Sequence, residues 1–122
     1  MTPAAILVVD DSPTVVLSVS TMLHEAGFGV ETAMNGQEAL DRLQAGLRPS
    51  LILTDVNMPV MDGLALIREA RRYGPTRFTP ILVLTSETDR EAEARAAGAS
   101  GWLAKPLDRD ALLTALGRLL PT

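Results

Sequence analysis

Four short apolar runs in this chain each end in residues able to do acid, base or phosphate chemistry. Ile6-Leu7-Val8-Val9 ends in Asp10-Asp11, Leu51-Ile52-Leu53-Thr54 in Asp55, Ile81-Leu82-Val83-Leu84 in Thr85-Ser86, and Gly101-Trp102-Leu103-Ala104 in Lys105-Pro106. As neighbouring parallel strands, they would deliver all of these groups to one carboxyl edge, where open α/β sheets place their ligand sites. Three carboxylates, two hydroxyls and an ammonium would then share a pocket. The carboxylates would repel one another, and a divalent cation would relieve that repulsion. Carboxylate oxygens with room for water suit Mg²⁺, with Mn²⁺ as a substitute. Lys105 adds a mobile positive charge, and Thr85 and Ser86 add donors for phosphoryl oxygens. Together they meet the needs of phosphoryl transfer, which is mostly positioning and charge neutralisation. Asp55, approached by Asp10-Asp11 on one side and Lys105 on the other, is the best-placed nucleophile, and an aspartyl phosphate would be its product.

The elements that must position these groups are legible from periodicity. The runs at about 5–10, 51–54, 81–85 and 101–104 are short and continuous, as strands buried on both faces should be, and 28–33 is a weaker fifth. Between them lie segments of helical period. Val15, Val19, Met22 and Ala26 form one stripe, with Val16 and Leu23 at its border and Gly27 as the stop. Asn35 is placed to cap a second helix, a third runs from about Leu64 to Arg72, and Asp108 is placed to cap a fifth. Thr88 with Glu91 reads as a capping box for the fourth, whose alanine-rich interior makes it the least firmly anchored. Five strands alternating with five helices predict an α/β fold with a parallel sheet covered on both faces.

Composition narrows the function. The 122 residues and 47% apolar content suit one domain with one core. No run approaches the ~20 apolar residues of a membrane span, and no signal peptide is apparent, so the expected location is the cytoplasm. The absence of cysteine removes disulfides, thiolate catalysis and sulfur metal sites. A net charge of −4 opposes nucleic-acid binding by this domain. Arg68, Arg71, Arg72 and Arg77 read as an ordinary solvated helix end, with docking of an acidic partner as the minority reading. His24, on the polar side of the first helix, is assigned to the surface. Met58, Pro59 and Met61 shape the loop after Asp55.

The order Val9-Asp10-Asp11-Ser12, Leu53-Thr54-Asp55-Val56-Asn57-Met58-Pro59-Val60-Met61-Asp62-Gly63, Leu84-Thr85-Ser86 and Ala104-Lys105-Pro106 resembles the receiver domain of two-component response regulators. It resembles most closely the CheY-like, stand-alone chemotaxis regulators, over about residues 5–120. The resemblance implies a flavodoxin-like, doubly wound sheet in strand order 2-1-3-4-5, one receiver domain over 1–122, and a monomer. It implies that Asp55 is the phospho-acceptor, that Asp10, Asp11, Asp55 and the backbone carbonyl of Asn57 hold Mg²⁺, and that Thr85 and Lys105 bind phosphoryl oxygens. Asn57, Ser86 and Glu87 would modulate the hydrolysis rate. Pro59 and Gly63 would be structural, and Lys105-Pro106 would be a cis peptide. Thr85, Trp102 and Lys105 would form the switch. The implied partners are a sensor histidine kinase or histidine phosphotransfer protein and a downstream protein target, such as the flagellar motor switch, bound through the fourth helix, fifth strand and fifth helix.

Two positions depart from the family's usual pattern. Leu17 replaces a common basic residue and should be exposed, either as a lone surface leucine or, with Val16 and the Pro106 loop, as an apolar docking patch. Trp102 stands where a Tyr or Phe usually moves inward on activation; the alternative is plain packing against the fifth helix. Two other functions compete with a stand-alone switch. A phosphatase working through an aspartyl phosphate would need a second Asp as general acid where Asn57 stands, so no enzyme activity beyond self-catalysed phosphotransfer and autodephosphorylation is expected. A receiver belonging to a longer regulator is the other; Met1 suggests a natural start, and the end after Pro121-Thr122 leaves the question open.

Overall fold

The computed structural model describes residues 4–86 and 90–120. Five parallel strands, β1 (Ala5–Val9), β2 (Gly29–Ala33), β3 (Leu51–Asp55), β4 (Ile81–Thr85) and β5 (Gly101–Ala104), align in the order β2-β1-β3-β4-β5. The helices between them are α1 (Pro13–Glu25), α2 (Gly36–Gln44), α3 (Gly63–Arg72), α4 (Glu91–Ala97) and α5 (Arg109–Leu119), with a short 3₁₀ turn at Gly74–Thr76. The predicted class and order are both observed. Each central strand is apolar on both sides because helices cover both faces. One core layer joins Leu7, Val9, Ile52, Val83, Leu66 and Ile67 on the side of α2, α3 and α4. The other joins Ile6, Val8, Leu53, Leu84, Leu23 and Leu112 on the side of α1 and α5. Among the described residues, no helix is long and apolar enough to cross a membrane.

Local chemistry sets the helix boundaries. Asn35 and Asp108 cap α2 and α5 as expected, accepting from Glu38 N–H at 2.8 Å and Ala111 N–H at 2.9 Å. Two further caps escaped the sequence reading: Ser12 accepts from Val15 N–H ahead of Pro13, and Asp62 accepts from Ala65 N–H ahead of Gly63. The capping box drawn from Thr88 lies outside the described residues. Gly27, with φ of 92°, stops α1 as predicted. The α1 stripe needs one correction: Leu23 is fully buried while Ala26 is exposed, because the helix ends at Glu25 and Ala26 already belongs to its cap. Leu17 and His24 are exposed, as expected.

The arginine cluster also needs correction. Arg71 is a staple, not part of a solvated helix end. Its guanidinium donates to the carbonyls of Gly98 at 3.0 Å and Thr79 at 2.6 Å, with longer contacts to Thr76 and Arg77. It ties α3 to the approach of β4 and to the left-handed turn that ends α4. That tie matters because α4 buries Ala94 and Ala97 where a longer apolar side chain would add about 2 kcal/mol per position. Arg71→Ala is expected to lower stability by about 2–3 kcal/mol in denaturant unfolding, with amide exchange in α4 accelerating first. A loss below about 0.5 kcal/mol contradicts the staple.

Candidate functional site

Asp10 directly follows β1 and is 2% exposed. Its Oδ1 accepts from Ser12 N–H at 2.9 Å as the chain turns into α1. Asp55 ends β3, also buried, with Oδ1 accepting from Val56 N–H at 2.8 Å. From the loop after β5, Lys105 Nζ reaches Asp10 Oδ2 at 3.1 Å and Asp55 Oδ2 at 3.4 Å. Asp11 is exposed at the rim, yet one oxygen each of Asp10, Asp11 and Asp55 lie within 4.8 Å of one another. The turn at the end of β1 therefore allows adjacent aspartates to face one point. Thr85 is buried at the end of β4, and its carbonyl accepts from Lys105 N–H at 2.9 Å. Lys105-Pro106 is cis, as the resemblance implied.

The loop after β3 is built for close approach. Gly63 N–H donates to the Val56 carbonyl at 2.8 Å, and a Cβ on Gly63 would overlap the Asp55 carbonyl oxygen. Only glycine lets α3 start this near the end of β3. Between them the chain turns at Pro59, whose carbonyl accepts from Met61 N–H, and Val60 sits at φ of 71°. A β-branched residue in that region costs on the order of 1–3 kcal/mol, so this tightly constrained loop stores strain beside the site. Asn57, exposed in the same loop, accepts at Oδ1 from Arg90 at 2.8 Å, a contact that the sequence reading missed.

Ser86 is exposed just past Thr85, and Glu87 lies outside the described residues. Trp102 pairs with Val83 in the sheet register; its half-buried side chain packs on the α2–α4 core layer, and Trp102 also lines a groove with Ala111, Ala115 and Leu119 of α5. A groove of about 490 Å³ runs beside the site between α1 and the β5–α5 loop, lined by Thr14, Val15, Leu84, Ser86, Lys105 and Pro106.

The electrostatics are unbalanced. Burial, then the charge on Asp10, push the Asp55 carboxyl above the ordinary carboxylate range, against the pull of Lys105 and the Val56 N–H. Burial opposes the charge on Lys105, but Asp10 and Asp55 together outweigh it and hold the ammonium above the usual lysine range. Among the described residues, one ammonium thus pairs with two of three clustered carboxylates. An all-oxygen donor set, partly buried and open at the Asp11 rim, fits a hard divalent cation such as Mg²⁺.

Fold and site together define a class: a doubly wound α/β domain with an acidic cluster and a lysine at the carboxyl edge of its sheet. The family model of the response regulator receiver domain matches residues 6–117, and the chain belongs to that family, the receivers of two-component systems. It is similar to the response regulator MprA of Mycolicibacterium vanbaalenii, at 43% identity over 97% of the chain. The chain spans 51% of that relative's length, about half. Among solved structures it is similar to the chemotaxis protein CheY4 of Vibrio cholerae, with 45% identity, a TM-score of 0.91, and coverage of 98% of this chain and 100% of that one. It is also similar to the receiver domain of the sensor histidine kinase PA1611 of Pseudomonas aeruginosa, at 32% identity and a TM-score of 0.89, covering 97% and 98% of the two chains. That structure holds a magnesium ion coordinated in its active-site cleft.

Because the Asp55 carboxyl is held above its ordinary value, the native state holds this proton more tightly than the unfolded chain. Ionised Asp55 therefore costs stability in full above its native pKa; the cost shrinks as pH falls below that value and is gone below the ordinary carboxylate value of the unfolded chain. Asp55→Asn is expected to raise the thermal midpoint at pH 7, with the gain shrinking as pH falls into the range where Asp55 takes up its proton. A substitution that lowers the midpoint at pH 7 contradicts this assignment.

Proposed function

We propose that Asp55 accepts a phosphoryl group from a phosphohistidine on a sensor histidine kinase or histidine phosphotransfer protein. The observation that carries this reading is the buried Asp55 carboxylate, which shares Lys105 with Asp10 at the carboxyl edge of the sheet. An Asp55 oxygen attacks phosphorus opposite the imidazole; the O–P bond forms as the P–N bond breaks, and the departing imidazole takes a proton from solvent. Asp10, Asp11, Asp55 and the Asn57 backbone carbonyl are the residues that would hold Mg²⁺, which when bound offsets the charge of the carboxylates and phosphoryl oxygens. Lys105 then pairs with one phosphoryl oxygen and the Thr85 hydroxyl donates to another. Water later cleaves the O–P bond, restoring Asp55 and releasing inorganic phosphate, with Asn57, Ser86 and Glu87 setting the pace.

Inward movement of Thr85 and Lys105 biases α4, β5 and α5 between two arrangements, and Trp102 moves with them. The thin burial of α4 supports this, as does a groove of about 440 Å³ lined by Trp102, Leu103, Ala111, Ala115 and Leu119, where a downstream protein would bind. The domain works in the cytoplasm as a monomeric switch. The likeness to the Vibrio cholerae chemotaxis protein supports a chemotaxis output through the flagellar motor. The likeness to MprA, matched over half that relative's length, favours a second reading, a receiver within a longer regulator.

Incubation with radiolabelled acetyl phosphate and Mg²⁺ is expected to label wild type and leave Asp55→Asn unlabelled, and Trp102 fluorescence should change as label accumulates. Persistent label on Asp55→Asn would overturn the acceptor, and constant fluorescence during labelling would overturn a moving Trp102.

A further inference from the structure

Arg90 stands at the N-cap of α4, where a guanidinium offers no acceptor to the helix and meets the wrong end of its dipole. Helix formation does not account for it. Its side chain is only 22% exposed, because both arms are engaged. NH1 donates to Asn57 Oδ1 at 2.8 Å, and NH2 pairs with Glu93 at 3.3 Å. The guanidinium is thus anchored from its own helix and reaches across to the loop that follows Asp55.

The consequence falls on the Asn57 carboxamide, which carries one acceptor oxygen and one donor amide. Hydrolysis of an aspartyl phosphate needs a water aimed at phosphorus, and a nearby acceptor oxygen is what orients such a water. Asn57 is exposed two residues past Asp55, and its carboxamide oxygen is the atom that Arg90 reaches. Arg90 occupies it with a charge-assisted bond. We propose that Arg90 is a positioning residue that lengthens the life of the aspartyl phosphate by holding the Asn57 carbonyl oxygen away from the attacking water. The idea rests on Asp55 as acceptor and assigns a regulator to that same site. In the hydrolysis that Arg90 slows, water oxygen bonds to phosphorus, the bond to the Asp55 oxygen breaks, and the water proton leaves with inorganic phosphate or to solvent.

The test is a double-mutant cycle on phosphoryl lifetime. Protein labelled with acetyl phosphate and Mg²⁺ is stripped of donor, and decay of the label is followed. Arg90→Ala should decay about five-fold faster than wild type, the equivalent of one hydrogen bond. Arg90→Lys, which keeps a charged donor, should stay within about two-fold of wild type. Asn57→Ala removes the carboxamide and leaves the backbone carbonyl, so in that background Arg90→Ala should change decay by less than about two-fold. Unchanged or slower decay in Arg90→Ala overturns the proposal. So does equal acceleration without the Asn57 carboxamide, or a Lys variant as fast as the Ala variant. A wild type that takes no label overturns the acceptor reading and this proposal with it; a wild type that labels and fails any of these comparisons overturns the proposal alone.

Discussion

Asp10 and Asp55 are buried carboxylates at the ends of adjacent strands, and a single ammonium, Lys105, lies within 3.4 Å of both. Charge taken out of water is costly unless it is paired, and here the pairing is incomplete. The rest of the site follows from that imbalance. Asp11 at the rim adds a third negative oxygen where a cation can enter, and the backbone amides of Ser12 and Val56 fix the two buried carboxylates in place. A site left short of positive charge in this way favours whatever supplies it. On the proposed function, phosphorylation of Asp55 would redistribute the demand, because the new oxygens would compete for the lysine that Asp10 and Asp55 share.

Such a change would pass to α4 because the ties to that helix differ at its two ends. At the C-terminal end Arg71 grips the Gly98 carbonyl and holds the helix to α3. At the N-terminal end Arg90 ties the helix to Asn57, in the loop that leaves Asp55. Between these ties α4 buries alanines only, so little apolar packing opposes a shift. A rearrangement at Asp55 would therefore reach the end of a lightly packed helix that Arg90 ties to the loop after β3, with Trp102 in the strand beside it.

The sequence made the local features legible. Strand runs ending in Asp10, Asp55, Thr85 and Lys105 gave sheet and cluster together, since parallel strands send their ends to one edge. Asn35 and Asp108 were readable as caps because each bonds three residues ahead. Ser12 and Asp62 carried the same signal, before Pro13 and Gly63, and it went unread. What lay out of reach was long-range. Arg71 meets Gly98 27 positions away and Arg90 meets Asn57 33 positions away, and no periodicity links them. The face chosen by Trp102 depended on strand register against Val83, which only the assembled sheet fixes.

The central claim is that burial and the charge on Asp10 outweigh Lys105 and leave Asp55 incompletely neutralised when no cation is bound. Carbon-detected NMR titration of the Asp55 carboxyl, with and without Mg²⁺, tests it most directly. The account predicts a carboxyl above the ordinary aspartate range without the cation and a clear downward shift on saturation with it. A carboxyl at or below the ordinary range without the cation, or one indifferent to Mg²⁺, would contradict it.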